Sequence, residues 1–198
     1  GTVASVEPYA DLAGNPVMHV IIDVEGDEWE ESIDRTPDVV REITLSKEEI
    51  IKKIQDCGIV GLGGASFPTH IKLTPPPGKV AEYLLINGAE CEPFLTSDYR
   101  LMLEQPEQIL IGAKIMMKAL DVKKCRFGVE VNKPEAIAKL KTFASQYPEI
   151  EIVPLKKKYP QGGEKQLIEA LTGKRVPSMG LPIDAGAVVQ NCATALAV

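Results

Sequence analysis

The chain has 198 residues, enough for one ordinary domain or one and a fraction. Hydrophobic residues make up 44% and charged residues 25%, a globular composition that excludes disorder of the whole. The net charge of −6 lacks the basic footprint of a dedicated nucleic-acid binder, and no apolar run approaches the roughly 18 residues that span a bilayer.

Thr2 to Glu7 alternates in polarity and Met18 to Val24 is β-rich, with the turn cluster Asp11 to Pro16 between them. This predicts a β-hairpin. Two strands alone are marginal in water, so the piece either packs on a larger domain or is the remnant of a small β-domain. An acidic linker, Asp27 to Glu31, follows around the only Trp. Residues 1–33 are thereby set apart from 34–198.

From about residue 44 the pattern alternates between helix and strand. Ser46 and Glu49 form a capping box, Ile50, Ile51 and Ile54 make one apolar face, and Gly58 stops the helix. A glycine-rich loop runs to Ser66. Tyr83 to Ile86 predicts a buried strand ending at Asn87-Gly88. Pro106 starts a helix whose stripe, including Met116 and Met117, reads as core packing. Arg126 to Val131 predicts a strand, Pro134 to Phe143 a helix and Ile150 to Leu155 a strand. Gly163 to Leu171 predicts a short helix closed by Gly173, and Ala187 to Gln190 a last strand. The fold class expected is α/β, a Rossmann-like parallel sheet with flanking helices, which binds ligands at the carboxyl ends of its strands.

Four segments could carry chemistry there. Gly61, Gly63 and Gly64 let backbone N–H groups approach a phosphate or a flat ring, and Lys72 adds a positive charge. This spacing is neither G-x-G-x-x-G nor a P-loop. Asn87, Glu90 and Glu92 follow the first strand of the alternating region and can bond ribose, ribityl or ring N–H groups. Gly162, Gly163, Glu164 and Lys165 open a helix, whose positive end suits an anion; Glu164 there is also what any helix start favours. Asn191 and Thr194 stand at a strand end, as cofactor contacts or as an ordinary helix cap. Lys156 to Lys158 reads as a solvated charge run. Cys57, Cys91, Cys125 and Cys192 contain no C-x-x-C and read as reduced thiols of a cytosolic protein. His19 and His70 do not make a metal site, and His70 lacks an identifiable partner for base catalysis. The chain opens at Gly1 without Met, which reads as a fragment of something longer, with no signal peptide.

Gly61 to Thr69 with Lys72, Asn87 to Pro93, Asp98, Leu101-Met102, Glu104 to Pro106 and Tyr159 to Lys165 together resemble the C subunit of the bacterial Rnf ion-translocating electron-transport complex. The same segments are similar to the NADH-oxidising flavoprotein subunit of respiratory complex I. The resemblance implies an FMN bed. Gly61, Gly63, Gly64 and Lys72 would hold its phosphate and ribityl side. Asn87 and Glu90 would line the isoalloxazine, and Gly163, Glu164, Asn191 and Thr194 would complete the pocket. Phe67, Glu92, Gly162 and Lys165 would face NAD(H) as substrate. The chain departs from the complex I pattern at Leu62, Ala89 and Lys165, where that pattern has Arg, Asp and an acid.

The resemblance further implies that residues 1–33 are the remnant and linker of a barrel-sandwich-like N-terminal β-domain, and that 34–198 are the FMN/NADH domain. It implies two 4Fe-4S clusters in the full-length protein but not in this piece. Its partners would be the other subunits of the Rnf membrane complex and, indirectly, ferredoxin. It would sit peripherally on the cytoplasmic face of the bacterial membrane, without spanning it. The expected activity is NADH oxidation through FMN to iron–sulfur clusters. Alternatives are a flavin-free docking module of the same complex, or a relative serving cobalamin reduction or a proline reductase.

Overall fold

The computed structural model describes residues 1–198 except Ser32, Asp34 and Pro37. It divides into two units, Gly1–Val39 and Val40–Val198.

The first unit holds β1 (Thr2–Ala10) and β2 (Pro16–Asp23), paired antiparallel as the alternation predicts. Asp11 closes the turn: its Oδ1 accepts the backbone N–H groups of Ala13 and Asn15, both at 2.8 Å. Nearly every residue of the ribbon is exposed on both faces. In the linker, Asp27 accepts from Trp29 Nε1 at 2.7 Å and from Arg35 at 3.2 Å, and the Arg35 guanidinium lies over the indole.

The second unit begins its regular structure with α1 (Lys47–Asp56). Its capping box is formed in both directions, Ser46 accepting from Glu49 N–H and Glu49 from Ser46 N–H. Ile50 and Ile54 are buried, and Gly58 leaves the helix at φ +63°. Then come the glycine loop, a single turn α2 (Thr69–Lys72), β3 (Tyr83–Gly88), α3 (Ser97–Glu104) and α4 (Pro106–Leu120). β4 (Cys125–Glu130), α5 (Pro134–Ala144), β5 (Ile150–Leu155) and α6 (Glu164–Thr172) follow. A 3₁₀ turn (Pro182–Ala185), β6 (Ala187–Asn191) and α7 (Cys192–Ala197) complete the unit. The sequence pattern anticipates all four strands and helices α1, α4, α5 and α6. It does not anticipate α2, α3 and the 3₁₀ turn, and it offers α7 only as a helix cap.

The sheet is wholly parallel, in the order β5-β4-β3-β6. Strands 3, 4 and 5 step outward in one direction, and the chain then returns to place β6 on the free side of β3. Connections therefore diverge between β3 and β6, the topological switch point where α/β sheets open a crevice at their carboxyl ends. Leu84, Leu85 and Ile86 of β3 are fully buried, as a central strand covered on both faces requires. Leu85 joins Leu155, Leu167, Ile168, Leu171, Ala187 and Val189 in a core under α6. Met116 and Met117 are buried on α4, as core packing predicts. Among the described residues no helix is long and apolar enough to cross a membrane, and no group of three or more His, Cys, Asp or Glu could hold a metal ion.

Candidate functional site

At the carboxyl ends of β3 and β6 two adjoining recesses, of about 280 and 570 Å³, share Gly63, Gly64, Asn87, Gly162 and Asn191 as common walls. They form one cleft, assembled from all four polar segments picked out in the sequence. The smaller recess is lined by Gly61, Phe67, Lys72, Glu164 and Thr194 among others; Glu90, Glu92 and Gly163 line the larger one. Lys165 does not line the cleft. One step along α6 from Glu164 turns it about 100°, and it borders a separate surface recess with Glu169 and Arg175.

Backbone proximity holds the walls together. Asn87 Nδ2 donates to Gly162 O at 2.9 Å, while its Oδ1 accepts from Ala89 N–H at 3.0 Å. This ties the exit of β3 to the loop before α6. A Cβ at Gly162 would stand 2.3 Å from Ala89 O, so only glycine allows that approach. Likewise a Cβ at Gly63 would meet Asn191 Cβ at 2.9 Å. The glycine loop is pinned by Leu62 N–H donating to Thr194 Oγ1 at 2.9 Å. Asn191 is the N-cap of α7, accepting from Ala193 N–H at 2.8 Å. It is the helix cap that the sequence allowed, and it also lines the cleft. Lys72 Nζ donates to Glu164 Oε1 at 2.9 Å and to Val189 O at 2.8 Å.

In the wall of the larger recess lies a polar cluster that the local sequence does not announce. The Glu90 side chain is only 5% exposed and accepts from the backbone N–H groups of Asp98 at 2.9 Å and Tyr99 at 3.3 Å, capping the start of α3. Lys133, from the turn before α5, reaches Glu90 Oε2 at 3.4 Å and Glu90 O at 3.0 Å. Asp98 Oδ2 accepts from Asn191 Nδ2 at 2.7 Å, and the Cys192 thiol neighbours its carboxylate. Burial, and then the neighbouring Glu90 charge, push the Asp98 carboxyl above the ordinary carboxylate value against three lowering partners, Asn191, Cys192 and Lys133. Burial and Asp98 push the Cys192 thiol well up, so it stays protonated. At the mouth, the neighbouring Glu92 charge raises the Tyr159 hydroxyl.

The sequence pattern also misses Gln190. It is buried, it lines the smaller recess, and its Nε2 has no partner among the described residues. A buried amide N–H without an acceptor costs free energy.

The model of the Nuo51 FMN-binding domain matches residues 54–198. The C subunit of the proton-translocating ferredoxin:NAD(+) oxidoreductase complex of Clostridium ljungdahlii is 46% identical over 100% of this chain and 43% of its own length. The C subunit of the Na(+)-translocating ferredoxin:NAD(+) oxidoreductase complex of Acetobacterium woodii is 46% identical over 98% of this chain and 44% of its own. The C subunit of the ion-translocating oxidoreductase complex of Pseudomonas aeruginosa is 40% identical over 100% of this chain and 25% of its own. The chain thus spans less than half the length of these relatives. Among solved structures, the NAD+-reducing [NiFe]-hydrogenase in its air-oxidised and H2-reduced states superposes with TM-scores of 0.64 and 0.63, at 27% and 28% identity. Each match covers 77% of this chain and 30% of the hydrogenase chain. The chain belongs to the family of the Nuo51 FMN-binding domain and is similar to the C subunits of ion-translocating oxidoreductase complexes.

Proposed function

We propose that residues 34–198 hold FMN in this cleft and form the NADH-oxidising, electron-entry part of an ion-translocating ferredoxin:NAD oxidoreductase subunit. The observation that carries the reading is Gln190, whose buried Nε2 is unpartnered among the described residues in a recess floored by glycines at the sheet's switch point. The chemistry of the walls suits the group: glycine backbone for a flat ring, Asn87, Gln190 and Asn191 amides for its carbonyl and ring nitrogen atoms, and Lys72 for a phosphate. Gly61, Gly63, Gly64, Gly163, Glu164 and Thr194 complete the wall, with Glu90 in the larger recess.

FMN, when bound, supplies the exchange between two-electron hydride and single-electron chemistry. The chain's own residues orient and screen. Asn87 fixes the wall between β3 and α6, Thr194 fixes the glycine loop, and Lys72 holds positive charge in the smaller recess. Phe67, Glu92 and Gly162 stand toward the mouth, where NAD(H) would enter. Lys165 faces away and is left out of that set.

Residues 1–33 are the remnant and linker of a barrel-sandwich-like β-domain on this reading. The two 4Fe-4S clusters lie in the remainder of the longer protein. The whole assembles peripherally with the membrane subunits on the cytoplasmic face, and ferredoxin is the other redox partner. A flavin-free docking module is the second reading, favoured by one observation: Lys72 Nζ is already satisfied by Glu164 and Val189 O.

The test is titration of the purified chain with FMN. Flavin fluorescence quenching, NADH-dependent bleaching and sensitivity to Lys72→Met or Asn87→Ala are expected. No binding at tens of micromolar FMN refutes the flavin reading.

A further inference from the structure

We propose that Asp98 is the proton acceptor of the cleft, taking up one proton from solvent when the occupant gains negative charge. The inference rests on the flavin reading above and adds a role for a residue outside its binding wall.

The geometry is that of an uncompensated charge cluster. Glu90 and Asp98 line the larger recess and meet Lys133 there, two carboxylates against one ammonium. Lys133 is committed to Glu90, with its Nζ 3.4 Å from Oε2 and 3.0 Å from the backbone oxygen. Glu90 is in turn committed to two α3 amides. The hydrogen-bond donor to Asp98 is the neutral Asn191 amide, and the neighbouring Cys192 thiol is neutral too. It is half-buried and lines the recess, so solvent protons reach it. Asn191, its partner at 2.7 Å, stands in both recesses and connects the carboxylate to any occupant.

Other charges near α3 point elsewhere. Glu135 and Lys139 of α5 engage the Tyr99 hydroxyl and Leu103 O, and Arg100 pairs with Glu104 on the outer face. The β3 side contributes Glu90, and α7 contributes Asn191 and Cys192. Burial and Glu90 already raise the Asp98 carboxyl, so a further negative charge close by carries it toward protonation.

The step balances simply. The flavin accepts an electron pair and one proton from a reductant and solvent and becomes more negative by one charge. The Asp98 carboxylate accepts a second proton and becomes a neutral acid, so the site's net charge is unchanged.

The experiment is spectroelectrochemical titration of this chain loaded with FMN, across pH, for wild type and Asp98→Asn. The Asn side chain keeps an oxygen acceptor for Asn191; it also deletes a negative charge, which shifts the potential at every pH, so the proton role is read from the slope alone. The wild-type midpoint potential should fall more steeply with pH than the variant's by one proton per electron pair, about 30 mV per tenfold in proton concentration. Reduction should also raise an infrared carboxylic-acid band that Asp98→Asn lacks. FMN binding with equal slopes in the two proteins, or with no such band in wild type, overturns the proton role alone. Wild-type protein that takes up no FMN overturns the flavin reading and this role with it.

Discussion

Replacing Lys133 by Met removes the one cation in the cluster at the cleft wall while keeping an unbranched apolar stem of similar bulk. At 3.4 Å and an effective dielectric constant near 20, its attraction to Glu90 is about 5 kcal/mol. Desolvating two side chains that are 8% and 5% exposed costs several kcal/mol per ion, so the pair contributes little net. Removing one member is different. It leaves Glu90 buried beside Asp98 with no opposing charge, and orphans the Glu90 carbonyl that Lys133 serves. A broken buried pair costs roughly 3–5 kcal/mol. For a chain of this size that is a drop in melting temperature of roughly 6–20 °C. Urea unfolding and thermal melts of Lys133→Met measure it. The double variant Glu90→Gln/Lys133→Met leaves neither charge buried alone, and should recover a good part of the loss. A single variant within about 0.5 kcal/mol of the parent refutes the reasoning. So does a double variant no more stable than the single.

Three further outcomes are expected. Gly162→Ala puts a Cβ 2.3 Å from Ala89 O, so the wall must open; a stability loss of about 1–3 kcal/mol and weakened FMN uptake are expected, and unchanged affinity by fluorescence titration counts against the cleft assignment. Asn191→Ala removes the α7 cap and the Asp98 partner; the helix loss is about 1 kcal/mol, and urea midpoints equal to the parent's contradict the capping role. Asp98→Asn alters the pH dependence of stability. The raised Asp98 carboxyl holds its proton in the folded chain where the unfolded chain has lost it, so its stabilising contribution is full at acid pH and falls as pH rises through the raised value. The variant therefore gains on the parent toward neutral pH, and a difference equal at both ends of the range refutes this.

The sequence is most legible where structure is local. The Ser46–Glu49 box, Pro106 and Pro134 at helix starts and Gly173 after α6 are read from neighbours three or four positions apart, and the folded chain uses each as expected. The four strands are legible because parallel strands buried on both faces are short apolar runs. The cleft segments stand out because polar, glycine-rich stretches follow strands in this fold. The missing parts are those whose meaning depends on distant partners. Glu90 caps a helix that begins seven positions later, and Lys133 reaches it from beyond β4. Asp98 meets Asn191 across 93 positions, and no local pattern signals that contact. The N-cap residues of α2 and α3, Pro68 and Thr96, give no capping bond of their own, and α2 and α7 are too short to show helical period. Lys165 groups with Glu164 by adjacency, yet successive helical positions point about 100° apart.

The hairpin of β1 and β2 has a practical consequence. Val3, Val6, Val17, Met18, Val20 and Ile22 are each about half exposed, and each strand has an edge with no partner in the sheet among the described residues. Such a ribbon is a template for pairing with other copies at high concentration. It therefore favours self-association through the first unit, whereas every residue of the cleft belongs to the other unit. Clumping through the ribbon would engage residues separate from those that line the site.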